Sequence, residues 1–426
     1  MATLHFKGKS AVWNHHLSVP YQTLDKVAGM SHKGKDEDEN LIIEGDNLIA
    51  LKALLPKYQG KIKCIYIDPP YNTGNEGWVY SDNVSNPIIK SWIRETVGKE
   101  GEDLTRHDKW LCMMTPRMKL LRELLAEGGA IFVSIDDNEQ HNLRSLLNEV
   151  FGDQNFVTNI VWQKKYTRSN DAKYFSDNHD FILVYAKNIE NFEVSGIPRT
   201  SEQNERYKNP DNDSRGEWMS QPLHAKSGSD SGYQHTFENG VVWSPPSGTY
   251  PRYTQESLKL AEKEGRIWFG VNGTNVPRMK KYLTDMGDLT PMTIWTYKEV
   301  GSNGDAKSDV KKLFGDNIFE TPKPVSLIKQ ILRISTNENS IVLDSFAGSG
   351  TTAQAVLELN MEDGGDRKFV LIQIPEETGA DSVAYKAGFK NVQEITQARV
   401  KKVIERDDLD VGFAYHKLGN QIDADK

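Results

Sequence analysis

The chain has few of the features that would place it outside a reducing compartment. Only two of its 426 residues are cysteines, Cys64 and Cys112, so a disulfide framework is excluded, and no cysteines and histidines have zinc-site spacing. No apolar run reaches the roughly 18 residues of a membrane span, and the N-terminal stretch lacks the apolar core of a secretory signal. We therefore expect a cytoplasmic protein with no membrane partner and no metal.

Basic residues are too few for a protein that is cationic over its whole surface. Lysine and arginine number 52 against 60 acidic residues, which gives a net charge of −8 and an isoelectric point of about 5.8. This balance excludes a uniformly basic protein. A local basic groove can still bind phosphates while the rest of the surface is acidic.

Strand-like and helix-like segments alternate from residue 40 onwards. "NLIIEGD" and "KIKCIYI" predict strands separated by the helical pattern of "NLIALKALLPKY", and a polar loop of about 30 residues follows the second strand. "RHDKWLCMMTPRMKLLRELLAEGG" predicts a long helix that ends at its two glycines. We therefore expect an α/β fold built on a doubly wound, mostly parallel sheet.

This alternation stops between residues 188 and 315, where Gly, Ser, Asn, Pro, Trp and Tyr are abundant, and resumes afterwards. The pattern predicts a mixed, loop-rich domain inserted into the α/β sheet. We expect four segments: an N-terminal extension (1–39), the first half of the sheet domain (40–187), the insertion (188–315) and the second half of the sheet domain (316–426).

One predicted strand ends in an unusual tetrapeptide. The apolar run 62–67 leads directly into Asp68, Pro69, Pro70 and Tyr71. Because prolines cannot donate to a sheet ladder, the strand stops there and leaves a carboxylate, stiff carbonyls and an aromatic ring at its C-terminal edge. Ligands bind at this edge in open parallel sheets, which makes the tetrapeptide a candidate site.

"VLDSFAGSGTT" is a second candidate site, because an acid and a turn of small residues stand between a predicted strand and a predicted helix. Gly348 and Gly350 allow a ligand to approach the backbone, and the helix start offers free N–H groups. The stretch lacks the Gly-Lys-Ser/Thr of a triphosphate-binding loop and does not match G-x-G-x-x-G. An ordinary tight turn is the alternative for the glycines alone, and the preceding acid favours a pocket.

Together, the two stretches resemble the amino-methyltransferases that use S-adenosylmethionine. "DPPY" followed 278 positions later by "FAGSG" is similar to the motif order of their beta class. "NLIIEGDNLIALKAL" and "TPKPVSLI" further resemble modification subunits of type III restriction systems. The resemblance implies a Rossmann-like methyltransferase sheet that transfers a methyl group to the exocyclic amino group of adenine in DNA, with base flipping. It implies double-stranded DNA as a partner and leaves open a homodimer and a restriction subunit.

The tetrapeptide suits this chemistry. The adenine amino nitrogen is a poor nucleophile because its lone pair is delocalised into the ring. Asp68 can accept one N–H of the amine and the Pro69 carbonyl can accept the other, which favours a pyramidal nitrogen with its lone pair aimed at the methyl donor. Pro70 stiffens these acceptors, and Tyr71 would stack on the base.

The resemblance also implies a set of cofactor-binding residues. Lys323 and Pro324 would contact the carboxylate of the cofactor, and Gln373 or Glu376 would hold its ribose hydroxyls. Asp46, at the end of the first strand, would meet the adenine amino group of the cofactor, and a solvated acid is an equal alternative there. The residues of the second motif would border the methionine and ribose portions or lie near the helix start: Asp344, Phe346, Ala347, Gly348, Ser349, Gly350, Thr351 and Thr352.

The insertion would be the target-recognition domain. The best local signals in and beside it are "WQKKYTRSN" and "VPRMKKY", which combine cations with aromatic and amide side chains. Cations can neutralise phosphates, and Arg, Asn and Gln can read base edges. An ordinary polar loop is the alternative for any single residue in these stretches.

Three other functions compete with adenine methylation. The closest is N(4)-cytosine methylation, since the same tetrapeptide can present either exocyclic amine. Methylation of a protein glutamine or of RNA is disfavoured by Asp68 and by the insertion, and a non-catalytic DNA-binding specificity subunit is disfavoured because both motifs are intact. Methylation at a ring carbon of cytosine needs a thiolate, whereas Cys64 and Cys112 are predicted to pack inside a strand and a helix.

Overall fold

The computed structural model describes residues 3–73, 91, 95, 104–169, 172–228 and 232–422. The chain forms two compact units: a larger one made of Met1–Ser195 and Met292–Lys426, and a smaller one made of Gly196–Pro291. Most of the polar loop predicted after Tyr71 lies outside the described residues.

The strands alternate with helices in the order that the sequence predicts. In chain order, the strands are β1 (Gln22–Lys26), β2 (Leu41–Glu44), β3 (Ile62–Ile67), β4 (Leu125–Ile135), β5 (Phe156–Gln163), β6 (His179–Ala186), β7 (Trp218–Pro222), β8 (His224–Ala225), β9 (His235–Thr236), β10 (Val242–Trp243), β11 (Tyr250–Pro251), β12 (Ile267–Trp268), β13 (Arg278–Tyr282), β14 (Ile294–Trp295), β15 (Ile341–Asp344), β16 (Lys368–Gln373) and β17 (Ala414–Gln421). Of these, β7 to β13 belong to the smaller unit.

The helices range from single turns to the five turns of the helix after residue 105. In chain order, they are α1 (Lys9–Val12), α2 (His15–Ser18), α3 (Asn47–Tyr58), α4 (Arg106–Leu124), α5 (Gln140–Phe151), α6 (Ser201–Asn204), α7 (Gln255–Lys263), α8 (Tyr297–Val300), α9 (Asn303–Phe314), α10 (Val325–Ser335), α11 (Thr351–Asp363), α12 (Val383–Lys386) and α13 (Val392–Arg406). Within the described part of the chain, no helix has the length and apolar composition of a membrane span.

The larger unit is built on a ten-stranded sheet with the order β1-β17-β2-β16-β15-β3-β4-β6-β5-β14. All neighbours from β17 to β4 run parallel, as do β5 and β14, while the remaining pairs are antiparallel. Helix α4 packs against α3 and α5, and α11 packs against α10 and α13. The predicted α/β fold with a mostly parallel sheet is confirmed.

The adjacency of β3 and β15 brings the two sequence motifs together. Val342 pairs with Cys64 and Leu343 with Ile65 in parallel register. In the sheet, β3 and β15 are neighbours. The chain continues from β3 to β4 on the far side of β3, and from β15 to β16 on the far side of β15, so the two connections run in opposite directions. The crevice between the C-terminal ends of β3 and β15 is therefore a topological switch point, where open α/β sheets bind ligands.

The long helix ends earlier than expected. α4 stops at Leu124, and the predicted glycine cap, Gly128 and Gly129, instead lies within β4, whose Leu125 pairs with Ile62. A Cβ atom at Gly129 would come within 2.8 Å of the Ile62 carbonyl oxygen. The glycine is thus required by close strand approach and not by a helix end.

The structure also moves the predicted segment boundaries. Residues 188–195 and 292–315 belong to the larger unit, because β14 pairs with β5 and the Trp162 indole N–H donates to the Gly301 carbonyl at 3.0 Å. Residues 1–39 are not a separate extension, since β1 pairs with β17 at the edge of the main sheet.

The smaller unit is a mixed assembly of short strands around α7, held by a small core and an ionic network. Asp213 accepts hydrogen bonds from Arg215 at 2.7 and 2.9 Å, from Lys280 at 2.8 Å and from the Tyr282 hydroxyl at 2.6 Å. Lys280 and Tyr282, both from "VPRMKKY", are buried in this network. These two side chains are therefore not available to contact DNA.

Candidate active site

A cavity of about 400 Å³ lies at the C-terminal ends of β3 and β15. Asp68, Pro69 and Tyr71 line it after β3, and Lys323 lines it from the loop before α10. From the second motif the lining residues are Asp344, Phe346, Ala347, Gly348, Ser349, Thr351 and Thr352. The fold therefore brings most of the predicted site residues to one cavity within the larger unit.

Asp68 has one carboxylate oxygen engaged and one open. Its Oδ2 forms an ion pair with the Lys323 ammonium group. Its Oδ1 is buried and has no hydrogen-bond partner among the described residues. A buried acceptor without a donor costs free energy, so this oxygen marks a position where a ligand N–H is expected.

Tyr71 lines the cavity beside this carboxylate. The Lys323 ammonium group is 5.1 Å from the centre of the Tyr71 ring, within cation–π distance. Burial, and then the neighbouring Asp68 carboxylate, raise the pKa of Tyr71 well above its ordinary value. The phenol is therefore neutral at physiological pH and offers the cavity an aromatic surface and not a general base.

The backbone after Tyr71 is held by a buried carboxylate that sequence reasoning missed. Asn72 adopts a left-handed conformation with φ of 57°. Its side-chain amide donates to Glu139 Oε1 at 2.5 Å and to the Arg106 carbonyl at 3.2 Å. Glu139 is fully buried and also lies 2.7 Å from His107 Nδ1. Nothing in the local pattern around Glu139 indicates this role, because it depends on contacts across the fold.

Asp344 organises the turn of the second motif. It accepts hydrogen bonds from the Phe346 N–H at 3.0 Å and from the Thr352 hydroxyl at 2.5 Å. Burial raises the pKa of Asp344 to about 7. Thr396 closes the turn from α13 by donating to the Gly348 carbonyl at 2.6 Å. Asp344 thus holds the turn through two hydrogen bonds and also lines the cavity.

A buried guanidinium group supports the start of α11. Arg399 donates to the hydroxyls of Ser349 and Thr351 at 2.7 and 2.8 Å, and to the Gln354 side chain at 2.8 Å. Burial lowers the pKa of Arg399 to about 10, so it remains a cation at neutral pH. This arginine was not predicted, since the amphipathic pattern of α13 gives no sign that one polar residue points inward.

A second ion pair lines the opposite part of the cavity. Lys164 Nζ lies 2.6 Å from Asp180 Oδ1, and both residues line the cavity with Asp136. Burial raises the pKa of Asp180, and pairing with Lys164 opposes that rise. Asp136 accepts from the backbone N–H of Asn138 at 2.9 Å and closes a turn. Asp180 was missed because its role follows from the ion pair with Lys164, which no local pattern in β6 indicates.

Several predicted residues do not line the cavity, and each has a structural contact. The Pro70 carbonyl accepts from the Trp110 indole at 2.7 Å, Pro324 precedes α10 as its N-cap, and Gly350 is the N-cap of α11. The Gln373 side chain accepts from the Gly348 N–H at 2.7 Å and so braces the turn. Glu376 lies beyond β16, outside the cavity lining.

Asp46 is also placed by structural contacts. It caps α3 by accepting from the Leu48 N–H at 2.7 Å, and the same oxygen accepts from the buried Arg117 at 2.9 Å. The predicted contact of Asp46 with a cofactor has no support from the cavity lining.

Both cysteines are free and buried, as predicted. Burial raises the pKa of the Cys64 thiol to about 12, and Cys112 lies inside α4. Neither residue lines the cavity, so methylation through a cysteine thiolate is excluded.

Comparison with known proteins identifies the family. The sequence profile described as "DNA methylase" matches residues 62–382, a span that contains both motifs. The chain belongs to the DNA methylase family. This membership confirms the family expected from the two motifs.

Two curated proteins are similar in sequence to this DNA methylase over most of its length. It is 35% identical to the type III restriction-modification enzyme StyLTI Mod subunit of Salmonella typhimurium, over 89% of this chain and 60% of that protein. It is 44% identical to the type II methyltransferase M1.MboII of Moraxella bovis, over 74% of this chain and 90% of that one. The chain thus spans about 60% of the length of the StyLTI subunit.

A solved structure, the complex of M1.HpyAVI with SAM, aligns at a TM-score of 0.34 and 17% identity, covering 78% of this chain and 94% of that one.

The buried carboxyl of Asp344 predicts a pH-dependent stability. Because its pKa is about 7 in the folded chain and 3.8 ordinarily, folding favours the protonated form. The free energy of unfolding should therefore fall as pH rises from about 4 to 7, and this carboxyl should add no slope above that range. Between pH 5 and 8 the loss should be about 2 to 3 kcal/mol.

Urea denaturation of wild type and Asp344→Asn at both pH values measures this effect. The amide keeps the shape of the acid, so the variant should lose the slope and gain stability relative to wild type at pH 8. Asp381→Asn, which changes an exposed acid, is the control and should keep the wild-type slope. An unchanged slope in Asp344→Asn would contradict the prediction.

Proposed function

We propose that this chain is a site-specific DNA methyltransferase that transfers a methyl group from S-adenosylmethionine to the exocyclic amino group of adenine. The observation that carries the proposal is the open acceptor of Asp68 beside Pro69 in the same cavity as the glycine turn of the second motif. Membership of the DNA methylase family supports DNA as the substrate.

The chain's own groups would activate the amine by position. Asp68 Oδ1 accepts one amino hydrogen and the Pro69 carbonyl accepts the second, so the nitrogen lone pair is directed away from the ring plane. Lys323 holds the other oxygen of Asp68, and therefore the acceptor does not need to reorganise when the base arrives. Tyr71 offers its ring face to the extruded base.

The cavity fits the proposed cofactor by two tests. Gly348 has φ of 54°, and a Cβ there would lie 3.4 Å from the Phe319 ring, so the turn leaves space that a side chain would fill. Lys323 supplies a cation for the carboxylate of the cofactor, and Ser349 and Thr351 supply hydroxyls. S-adenosylmethionine supplies an electrophilic methyl group on a sulfonium when bound.

The same geometry could present the amino group of cytosine, so N(4)-cytosine methylation is the second candidate. The "DPPY" spelling and the similarity to a type III Mod subunit favour adenine.

We further propose that the smaller unit recognises the target sequence. Double-stranded DNA is the main partner, and a second copy of the chain or a restriction subunit are further candidates, because the StyLTI relative is named as a subunit. Two free, buried cysteines fit our assignment to the cytoplasm.

Product analysis tests the reaction itself. The purified chain should transfer labelled methyl from S-adenosylmethionine to duplex DNA, and mass spectrometry of the digested nucleosides should show N(6)-methyladenine. N(4)-methylcytosine would instead establish the second candidate. Label in protein or RNA, with none in DNA, would refute both.

Asp68→Ala should separate chemistry from cofactor binding. Loss of the amine acceptor should lower methyl transfer by at least about 100-fold, while calorimetry should show S-adenosylmethionine affinity close to wild type. Asp68→Asn is the companion variant: its single acceptor oxygen can serve Lys323 or the amine but not both, so it should lose methyl transfer as well. Wild-type turnover in the alanine variant would remove Asp68 from the mechanism.

Gly348→Val should have the opposite signature. A β-branched side chain strains the left-handed turn and fills the cavity, so cofactor affinity should fall at least about tenfold while DNA binding remains. Gly364→Val is the matched control: Gly364 also has a positive φ, of 72°, but nothing lies within 4 Å of its Cβ position. An equal loss of cofactor affinity in the two variants would show that the loss comes from backbone strain and not from filling the cavity.

A further inference from the structure

The connection between β5 and β6 carries the most exposed aromatic side chains of the described residues. We call the described residues of this connection, 164–169 and 172–178, the aromatic loop. It starts and ends at the cavity, because Lys164, Lys165 and Asp177 line the cavity wall. Near its tip, the side chains of Tyr174 and Phe175 are 81% and 93% exposed. Large apolar groups with this exposure indicate an interaction surface.

Hydrogen bonds hold the two limbs of the aromatic loop together. The Asn178 side-chain amide donates to the Thr167 carbonyl at 3.1 Å and to the Lys165 carbonyl at 3.4 Å. Ser176 Oγ accepts from the Ser169 N–H at 2.8 Å and donates to Asn178 Oδ1 at 2.7 Å. The exposure of the tip is therefore imposed by the loop's own structure.

A ring contact links the first limb to the body of the larger unit. The Tyr166 ring lies 5.2 Å from the Tyr297 ring of α8, tilted by 34°. At the tip, the Lys173 ammonium group lies 5.1 Å from the Tyr174 ring. The first limb of the loop is thus anchored to the larger unit, and the rings of Tyr174 and Phe175 are exposed near the tip.

The charge of the aromatic loop selects one kind of partner. Besides the Lys164–Asp180 ion pair, the aromatic loop carries three cations (Lys165, Arg168 and Lys173) and one acid (Asp177), in a chain whose net charge is −8. Cations flanking exposed rings match nucleic acid, where phosphates bind the cations and bases stack on the rings. Apolar side chains of this kind enter the duplex between base steps in other DNA-binding proteins.

We propose that Phe175, flanked by Tyr174, enters the duplex beside the target base and occupies the space that the extruded base leaves. This inference rests on the proposed function. Extrusion costs a few kilocalories per mole through lost stacking and pairing, and a ring inserted into the gap offsets part of that loss. The position of the loop at the cavity rim would couple insertion to entry of the base into the cavity.

The test compares methyl transfer to two duplexes that carry the site methylated by the wild type. One duplex is fully paired, and the other has an abasic position opposite the target base, which makes extrusion easier. Phe175→Ala should lose about 10- to 100-fold in kcat/KM on the paired duplex and less than about threefold on the abasic one. With 2-aminopurine at the target, its fluorescence increase should shrink in the variant. Phe175→Leu should recover part of the loss.

Tyr385→Ala removes an aromatic ring that is 45% exposed on α12, outside the cavity lining, and is the matched control that should behave as wild type. Equal losses on both duplexes, or wild-type rates for Phe175→Ala on the paired duplex, would overturn the inference. If the wild type methylates no DNA, so that no such site can be defined, the proposed function fails, and with it the partner assigned to the loop.

Discussion

The parallel pairing of β3 with β15 is the constraint on which the candidate site depends. Asp68 follows one strand and the glycine turn follows the other, and the smaller unit lies between them in sequence. Neighbouring parallel strands end at the same edge of a sheet, so the pairing converts a separation of 278 positions into a shared cavity wall.

Buried ionisable groups around the cavity fix its geometry more than they stabilise the fold. Glu139 and Arg399 hydrogen-bond to side chains of other elements, and Asp344 hydrogen-bonds to its own turn and to Thr352 of α11. Burial of such groups costs free energy even when they are paired. Their value lies in holding the acceptors and the turn in place before a ligand arrives, since a preorganised site needs little rearrangement during the reaction.

Local signals predicted the alternation of strands and helices in the mostly parallel sheet, and about half of the residues that line the cavity. Asp68 and Gly348 could be identified because each stands at a strand end with unusual neighbours in sequence. Glu139, Asp180 and Arg399 could not, since their roles follow from contacts across the fold. The same reason explains the boundary errors: β14 is only two residues long, and its place in the sheet follows from pairing with β5, which no local pattern encodes.

The ion pair between Lys323 and Asp68 explains how one carboxylate can be both fixed and available. Lys323 engages Oδ2, while Oδ1 stays buried and without a donor among the described residues. A carboxylate alone in the cavity would rotate and lose conformational entropy on binding an amine. With one oxygen held, that entropy is lost on folding and not during the reaction. Lys323 comes from a loop 255 positions away from Asp68, so the acceptor is aligned only once both halves of the sheet have assembled.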